Sequence, residues 1–434
     1  MPSQNNPASP GNISKFKISS NSSGEAMDLS GGVVEFRYYE SVLSNNVTAT
    51  AVIVDSGYKS EGDTVRASKG VLDSLPVRGG ERTDIVIEDN EGNQLRFKRG
   101  LYVNRVRDAD PGTSKDVFFI DFASQEYFAN EQQRVMQRFE GKISSHVEQI
   151  LSTINGEIEQ VDNTSLNYNF VGNDRKPFYI CTWLASKAVP DKDVGSAAGY
   201  LFYQTRDGFN FRSIDKLFEQ SPVKKFIFNN SGDKVPGSDT NILDYSIDSD
   251  IDLKQNMTLG TYNSRAIYFN PFQMGYYVKE YKYQPDKLGK AGKYFAANEV
   301  AKEFTNTPTR LMSHVFDVGS MPNGTGDDQL TQWKQDPSAP NYDAENTMAQ
   351  SVMRYNQMFT VKINVTIAAD FSIKAGDVVS CTFPEVSGTQ QKEQNPQSGG
   401  IYMVASVCHR VTPRDSFTRL ALVRDSFGKK SGFK

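Results

Sequence analysis

The two ends of the chain carry the same succession of turns and strands. In each, a glycine turn precedes an alternating apolar–polar strand, a Gly-x-Tyr strand follows, and a third strand ends the unit. The segments are residues 78–87, 100–107 and 117–122 near the start, and residues 374–383, 399–407 and 417–424 near the finish. Two similar all-β units in one chain would let three copies present six equivalent surfaces. Glycine turns and alternation also occur in unrelated antiparallel meanders, so the spacing is compatible with either origin.

Length and charge narrow the classes of protein. The 434 residues predict two to four domains. The net charge of -4 argues against a general nucleic-acid binder, which needs a clustered basic surplus. We find no run of 18 apolar residues, and the polar start has no apolar signal-peptide core, so neither a membrane span nor secretion is predicted. Cys181, Cys381 and Cys408 are too few for a disulfide framework, which predicts synthesis in a reducing compartment, inside a cell.

Periodicity predicts β structure first. Residues 1–12 are rich in Pro, Asn and Ser and are predicted to be disordered. Alternation then predicts strands with inward side chains, and together with the strands above it gives a barrel or sandwich of about six strands ending near Ser124. The alternating apolar positions are Val34, Phe36, Tyr38, Val47, Ala49, Ala51 and Ile53.

The period changes after Ser124, which we predict to be the N-cap of a short helix. Apolar residues at helical spacing predict an amphipathic helix over residues 142–154. Pro177 opens a third helix that ends before Pro190. Residues 201–212 predict a hairpin, and Ser213 caps a helix over residues 214–218. This region is therefore α+β.

Residues 243–253 alternate strictly, with Leu243, Tyr245, Ile247, Ile251 and Leu253 on one face and four aspartates on the other. A polar segment rich in Tyr, Asn and Lys follows from about residue 271 to 339, and residues 342–359 are predicted to be helical. Residues 360–427 form the second β unit.

No motif in the sequence selects a catalytic or metal site. Asp248, Asp250 and Asp252 resemble part of a calcium loop, but the sixth-position Gly and the closing Glu are missing, so a solvated or partner-facing acidic strand is favoured. The three histidines, His146, His314 and His409, lack neighbours at ligand spacing. Paired carboxylates for glycoside cleavage stay open as an alternative, although no spacing selects a pair. We predict no cofactor and no enzymatic activity.

A set of tyrosines stands in polar surroundings. Tyrosine suits protein interfaces, because its ring supplies apolar area while its hydroxyl stays hydrogen-bonded. Core packing is the alternative for each ring. The set consists of Tyr38, Tyr39, Tyr276, Tyr277, Tyr281 and Tyr283.

Several strings resemble the baseplate central hub protein of contractile-tailed, T-even-like myovirus bacteriophages, closest to the cyanophage version. The strings are residues 38–44 (YYESVLS), 75–81 (LPVRGGE), 400–407 (GIYMVASV), 47–50 (VTAT), 176–186 (KPFYICTWLAS) and 353–357 (MRYNQ). Each string alone is weakly specific, but their order covers about residues 13–428.

The resemblance implies a β-rich α+β fold with two similar antiparallel tube-like β-barrels plus α+β insert domains, assembling as a pseudo-sixfold trimeric ring. It implies a structural virion protein of the tail baseplate, made in the host cytoplasm. The implied partners are two further copies, the central spike, tail tube or tube-initiator proteins, and baseplate wedge and tape-measure proteins. DNA would pass only transiently through the channel, and no membrane is involved.

The same analogy gives the domain bounds. They are residues 1–12 (disordered), 13–124 (first barrel), 125–240 (α+β domain), 241–270 with 360–427 (second, discontinuous barrel), 271–359 (insert ending in a helix) and 428–434 (flexible C-terminus). Our candidate interface residues are the six tyrosines named above with Arg78, Asp248, Asp250 and Asp252. A cell-wall or glycan hydrolase and a host-binding adhesin are the other classes; the absence of long fibrous repeats disfavours the adhesin.

Overall fold

The fold is described from a computed structural model of the chain. It describes residues 10–21, 25–55, 77–111, 116–165, 167–191, 197–228, 239–248, 253–270, 274–282, 304, 306–315, 344–384 and 398–425. The predicted disorder at residues 1–12 and at 428–434 therefore lies almost wholly outside the described residues, except that Asn12 already begins the first strand.

The first β unit consists of β1, β3, β4, β5, β7 and β8, with the short strands β2 and β6 added at its margin. Its strand order is β1-β5-β7-β8-β4-β3, and every neighbouring pair is antiparallel. The 3-10 helix η1 (Ser30–Gly32) lies between β2 and β3. The bounds are β1 (Asn12–Ser19), β2 (Ala26–Asp28), β3 (Val33–Ser41), β4 (Thr48–Asp55), β5 (Arg82–Glu88), β6 (Gln94–Arg96), β7 (Leu101–Pro111) and β8 (Asp116–Ala123).

The middle region confirms the predicted helices and the predicted hairpin. Ser124 and Pro177 stand at the starts of α1 and α3, and β12 pairs antiparallel with β13. The bounds are α1 (Gln125–Gln132), β9 (Arg138–Phe139), α2 (Ile143–Thr153), β10 (Ile158–Val161), β11 (Phe170–Val171), α3 (Pro177–Ala185), β12 (Tyr200–Thr205), β13 (Gly208–Ser213) and α4 (Ile214–Phe218).

The last part of the chain holds a small sheet, a long helix and the second β unit. The small sheet has the order β17-β16-β18. The predicted helix over residues 342–359 is confirmed as α6. The bounds are β14 (Lys224–Phe228), β15 (Thr240–Asp248), α5 (Leu253–Leu259), β16 (Asn263–Asn270), β17 (Gly275–Lys282), β18 (Arg310–Val315), α6 (Ala344–Met358), β19 (Val361–Ala368), β20 (Val378–Thr382), β21 (Gly400–Val411) and β22 (Ser416–Arg424).

The second β unit is a closed barrel of β14, β20, β21, β22, β19 and β15. Its order is β14-β20-β21-β22-β19-β15, and β15 returns to pair with β14. Numbered by position along the chain, both units have the order first-fourth-fifth-sixth-third-second. The β-rich architecture with paired six-stranded units is therefore confirmed. One detail differs from the all-antiparallel expectation, because β14 runs parallel to both of its neighbours.

The glycine turns of the two units share a positive-φ glycine and two corresponding hydrogen bonds. Gly80 and Gly376 both have positive φ, of 82° and 90°. The Gly80 amide donates to the Val103 carbonyl at 2.7 Å, and the Gly376 amide donates to the Val404 carbonyl at 2.8 Å. The acidic residue after each glycine accepts a hydrogen bond from the backbone amide three residues earlier, of Arg78 and of Lys374, at 2.8 Å in both units. This agreement favours duplication over two unrelated meanders.

Two β-bulges also recur at matching places. In β7 the register shifts between Val103 and Arg105, and in β21 it shifts between Val404 and Ser406. A second pair of bulges lies in β3, at Val33/Glu35, and in β15, at Ile242/Asp244. A bulge re-aims every side chain after it, so matching bulges fix the same inward and outward positions in both units.

Separate clusters of buried side chains fill the two units. In the first unit, Phe16, Phe36 and Phe122 meet edge to face at its centre. In the described strands β1 does not pair with β3. Instead the Leu29 amide beside η1 donates to the Phe16 carbonyl at 2.7 Å, and η1 packs against both β1 and β4. The second barrel buries Ile363, Tyr402 and their neighbours.

Strand membership differs from the predicted grouping at two points. β14 belongs to the second barrel although it lies outside the bounds 241–270 and 360–427. Within 241–270, only β15 joins the barrel, since β16 pairs with β17 and β18. Of the strand predicted over residues 243–253, β15 contains the part up to Asp248, residues 249–252 lie outside the described residues, and Leu253 begins α5. In the described part of the chain, no helix combines the length and hydrophobicity needed to cross a membrane.

Candidate assembly surface

The two β units join edge to edge into one eight-stranded sheet. β3 of the first unit pairs antiparallel with the second half of β21, and this single pairing links the order β7-β8-β4-β3 to β21-β22-β19-β15. Every neighbouring pair in this path is antiparallel. Alternation therefore gives one continuous face that points away from both cores.

The outward face at the junction is polar. Tyr39 lies opposite Cys408, and Ser41 lies opposite Ser406. A groove of about 780 Å³ follows this face across the junction. Its lining comes from six of the eight strands and includes Tyr39, Thr48, Cys408, Arg419, Asn364, Thr366 and Asp244. The residues named here are polar, and the lining also includes Val365, Val407, Leu420 and Ala421.

One carboxylate ties the two units together on this face. Glu35 accepts hydrogen bonds from Arg37 of its own strand at 2.5 Å and from Arg410 of β21 at 2.7 Å. Burial alone would raise the pKa of Glu35, but the hydrogen bonds from Arg37 and Arg410 outweigh it, and the pKa is lowered. Arg37 lies directly opposite Arg410, so Glu35 neutralises what would otherwise be a like-charged cross-strand pair.

The inward side of the same junction is buried. His409 lies opposite Tyr38, with the two rings stacked at 6.2 Å, and its Nδ1 lies 2.9 Å from the Thr418 hydroxyl. Burial, and to a lesser degree Arg206, lower the pKa of His409 to about 3, so the ring is neutral at pH 7. The junction is thus both a strand pairing and a packed core contact.

Glu40 connects the middle region to this junction through hydrogen bonds. It is buried and accepts hydrogen bonds from the Tyr38 hydroxyl, the Arg206 amide and the Ala375 amide, each at 2.9 Å. Burial raises its pKa, while the Arg206 charge and the hydrogen bonds act in the opposite direction. A single carboxylate therefore contacts the first unit, the β12–β13 hairpin and the second unit.

The eight-stranded sheet ends in two edges that have no strand partner in the described residues. β7 pairs with β5 at Leu101 and Tyr102, and the Val103 backbone hydrogen-bonds to Gly80 and Glu81, so the residues of β7 from Asn104 onward pair only with β8. β15 pairs with β14 only up to Ile242, so its later residues pair only with β19. By position in their units, β7 is the counterpart of β21, and β15 is the counterpart of β3. The two open edges are therefore the counterparts of the two strands that pair with each other inside the chain.

Three of the predicted interface residues lie at exposed positions near these features. Tyr39 is 37 % exposed on the outward face of β3. Arg78 is exposed in the first glycine turn. Asp248 is exposed at the end of the open strand β15, where its carboxylate lies 3.7 Å from Nζ of Lys362.

Two predicted interface tyrosines are instead buried inside the chain. Tyr38 is fully buried in the first unit, because alternation in β3 turns it inward when it turns Tyr39 outward. Tyr281 is almost buried, and its hydroxyl lies 2.9 Å from that of Tyr268. Core packing, the alternative for these rings, describes both positions.

Tyr276 lies on an exposed apolar face of the small sheet. It is 74 % exposed and lies opposite Phe269, while Val278 lies opposite Ile267. The backbone of Tyr277 lies in β17, opposite Tyr268. Tyr283, Asp250 and Asp252 lie outside the described residues.

The well-buried carboxylates of the described chain have structural partners. Asp162 accepts from Arg212 at 3.0 Å. Asp215 and Asp425 both bind the buried guanidinium of Arg354, at 2.8 and 2.6 Å. In the part of the chain that the structure describes, no group of three or more His, Cys, Asp or Glu side chains is placed to hold a metal ion.

The arginines on the outward face are not among the predicted interface residues. Arg105 and Arg107 are exposed on β7, and Arg107 binds Asp121 of β8 at 2.9 Å. Their alternation in residues 100–107 was visible and indicated a solvent-facing row. Only the strand order showed that this row lies on an open edge.

The fold matches known tail proteins. No protein-family model matches the chain, and no curated protein matches it. A prophage MuSo2 43 kDa tail protein from Shewanella oneidensis is similar in structure, with a TM-score of 0.52 and 9% identity over 95% of this chain and 98% of that one. A tail protein from Neisseria meningitidis MC58 has a TM-score of 0.51 and 10% identity over 94% of this chain and 96% of that one. Nearly the whole chain therefore shares the fold of these two proteins.

Proposed function

We propose that the protein is a structural virion protein, a trimeric baseplate hub that connects a sixfold tail tube to a threefold central spike. The fold that the chain shares with two tail proteins supports a structural role in a tail. The resemblance of its sequence strings to contractile-tail hubs supports the finer assignment. The role needs no catalytic residue, since the work of a connector is done by its shape and its surfaces.

The observation that carries the proposal is the relation between the paired and the open strands. Inside the chain, β3 pairs with β21. Their counterparts in the other unit, β15 and β7, are the open edges. If β15 of one copy pairs with β7 of the next, every junction around the assembly is of the same kind. A heterologous contact of this type closes into a ring when its rotation permits, and no edge strand is left over.

Such a ring encloses a channel. Three eight-stranded sheets joined edge to edge would make a closed sheet of roughly two dozen strands, and barrels of ~16–18 strands already leave an aqueous lumen. The outward face of the sheet is polar and of mixed charge, with the Arg37–Glu35 and Arg107–Asp121 ion pairs on it. A wet, mixed-charge lining suits the transient passage of DNA or of a tape-measure protein.

The two halves of the molecule fit the two symmetries. The β unit occurs twice in each chain, so three copies present six similar surfaces to a tube. The middle region and the small sheet occur once in each chain, so three copies present only three surfaces of that kind to a spike. The duplication thus resolves a symmetry mismatch that no simple trimer or hexamer could.

The test is the assembly state of the purified full chain. Sedimentation equilibrium should give a trimer at micromolar concentration, and negative-stain electron microscopy should show rings with six lobes around a central hole. The particles should also leave peptidoglycan and capsule glycans intact. A monodisperse monomer at these concentrations would contradict the proposal.

A further inference from the structure

We infer that β7 of one copy pairs antiparallel with β15 of a second copy in the register that sets Arg107 opposite Asp248, and that this charge pair makes the contact head-to-tail. The inference rests on the proposed trimeric ring and goes beyond it, because it names the two edges, their register and the residues that select it.

The register follows from the matched bulges. Beyond the bulge, Arg107 of β7 lies opposite Phe119, and Cys408 of β21 lies opposite Arg419. The bulge at Val103 matches the bulge at Val404, so Arg107 occupies in the first unit the place that Cys408 occupies in the second.

The open strand of the second unit is matched in the same way. Arg37 of β3 lies opposite Thr50, and Ser246 of β15 lies opposite Asn364. Two residues further along, Tyr39 and Asp248 occupy corresponding places, each on the outward face. Within the chain Tyr39 lies opposite Cys408. The corresponding pair between two copies is therefore Asp248 with Arg107.

The charges on the two edges are complementary. The outward row of β7 carries Arg105 and Arg107, and the outward row of β15 carries Asp244 and Asp248, all exposed. Opposite charges directly across a strand pair stabilise it, and like charges destabilise it. Pairing β7 with a second β7, or β15 with a second β15, would set like charges together. The edges thus favour a head-to-tail contact over a twofold dimer.

Both side chains already take part in ion pairs that a new partner could share on assembly. Arg107 binds Asp121, and Asp248 lies near Lys362, in ion pairs that are about half exposed on at least one side. Exposed pairs of this kind contribute little to stability, so sharing them with a new partner costs little. Asp121 and Lys362 would then flank the new pair with alternating charge.

Disulfide trapping tests the register directly. The chain would carry Arg107→Cys and Asp248→Cys with Cys408→Ser, which removes the one native thiol that is not buried. Directly opposed residues of a strand pair have the Cα separation that a disulfide needs. Mild oxidation should convert most of the protein to covalent dimers and trimers on a non-reducing gel.

Two matched controls accompany the trap. The pair Arg107→Cys with Asp244→Cys keeps the same strand and face but shifts the register by four residues, and it should give little covalent product. A mixture of the Arg107→Cys chain and the Asp248→Cys chain should stop at covalent dimers, because each chain then carries only one engineered thiol. Trapping in the shifted pair with none in the proposed pair would overturn the inference.

A charge exchange tests the role of the pair. Arg107→Asp and Asp248→Arg should each weaken trimer formation by roughly tenfold in sedimentation equilibrium, because like charges then face each other across the contact. The double variant should recover most of the loss. If single and double variants assemble as the unchanged chain does, and no 107–248 disulfide forms, the ring stands but this contact is wrong. If the unchanged chain is a monomer, the ring and the contact both fail.

Discussion

The two β units share one plan but differ in the direction of their first strand. They have the same strand order, two matching pairs of bulges and the same acid-anchored glycine turn, and β7 has a further bulge between Asp108 and Asp110 that β21 lacks. Yet β14 runs parallel to β15 and closes the second unit, whereas β1 runs antiparallel to β5 and leaves η1 to cover the gap toward β3. The turns and bulges aim the side chains of the eight-stranded sheet. The first strand of each unit lies outside that sheet, so its direction could diverge without disturbing it.

A second difference concerns the edges. β3 is paired within the chain, and its counterpart β15 is open. On its outward face the junction inside the chain holds the Glu35–Arg37–Arg410 ion pairs beside uncharged residues, and on its inward face a packed His–Tyr pair, whereas the open edges carry opposite charges, arginines on β7 and aspartates on β15. A contact made once during folding can rely on burial, while a contact between copies also needs to select its partner.

The largest expected effect concerns how the second unit is held to the rest of the molecule. Arg354 of α6 is buried between Asp215 and Asp425. Arg354→Met should lower the free energy of unfolding by about 3–5 kcal/mol, because it leaves two buried carboxylates without their cation. The matched change in the first unit, Arg82→Met, removes an exposed pair with Asp84 and should cost under ~1 kcal/mol. Urea denaturation followed by tryptophan fluorescence compares the two variants. Equal losses of unfolding free energy would mean that the ion pairs of Arg354 with Asp215 and Asp425 do not hold the second unit in place.

The second-largest effect should come from the glycine turns, where the same substitution should destabilise the second unit more than the first. A Cβ on Gly376 would come within 2.2 Å of the Tyr203 hydroxyl, whereas a Cβ on Gly80 would meet only Asn21, at 3.7 Å. Both alanine variants bear the positive-φ penalty of about 1–2 kcal/mol. Gly376→Ala should lose about 1–3 kcal/mol more by overpacking. Hydrogen exchange of peptides from β7 and β21 reports each unit separately. A larger loss in the Gly80→Ala chain would contradict this account of the two turns.

Acid should weaken the junction inside the chain. Because burial lowers the pKa of His409 to about 3, the unfolded chain takes up a proton at higher pH than the folded chain does. The contribution of His409 is therefore complete above pH ~6.5 and is lost as the pH falls toward 3, by about 2 kcal/mol at pH 5. The variant His409→Gln should show a shallower decline of unfolding free energy between pH 7 and pH 5. Parallel declines would exclude His409 as the source.

Salt should weaken the proposed contact between β7 of one copy and β15 of the next, and this is the smallest of the expected effects. An exposed pair such as Arg107 with Asp248 of the next copy contributes about 0.2–1 kcal/mol, and salt screens it. Raising NaCl from 0.05 to 0.5 M should weaken trimer formation about two- to fivefold. It should not shift the midpoint of urea unfolding, to which the buried Arg354 ion pairs contribute. The double charge exchange should keep this salt dependence, and a chain with both residues changed to Ser should lose it.

The sequence predicted the helices and strands better than it predicted which of them pair or pack together. Alternation in residues 47–53 gave the buried positions of β4, and the helical spacing of residues 142–154 gave α2, because both signals lie within a few residues. The strict alternation predicted for residues 243–253 does not hold at Leu253, which begins α5, because this helix packs against β18, a strand far away in the sequence. Among the tyrosines, composition placed Tyr38 and Tyr39 together, and only the inward or outward sense of β3 separated them.

The sequence by itself determined that the chain holds two β-rich units with matching glycine turns, since turns need a few residues and a backbone angle that glycine provides. Only the tertiary structure decided that β3 pairs with β21 and that β7 and β15 remain open. Strand pairing joins residues hundreds of positions apart through backbone groups that every residue carries, so no local pattern specifies the partner. The partner is decided by which edges the packed cores bring side by side.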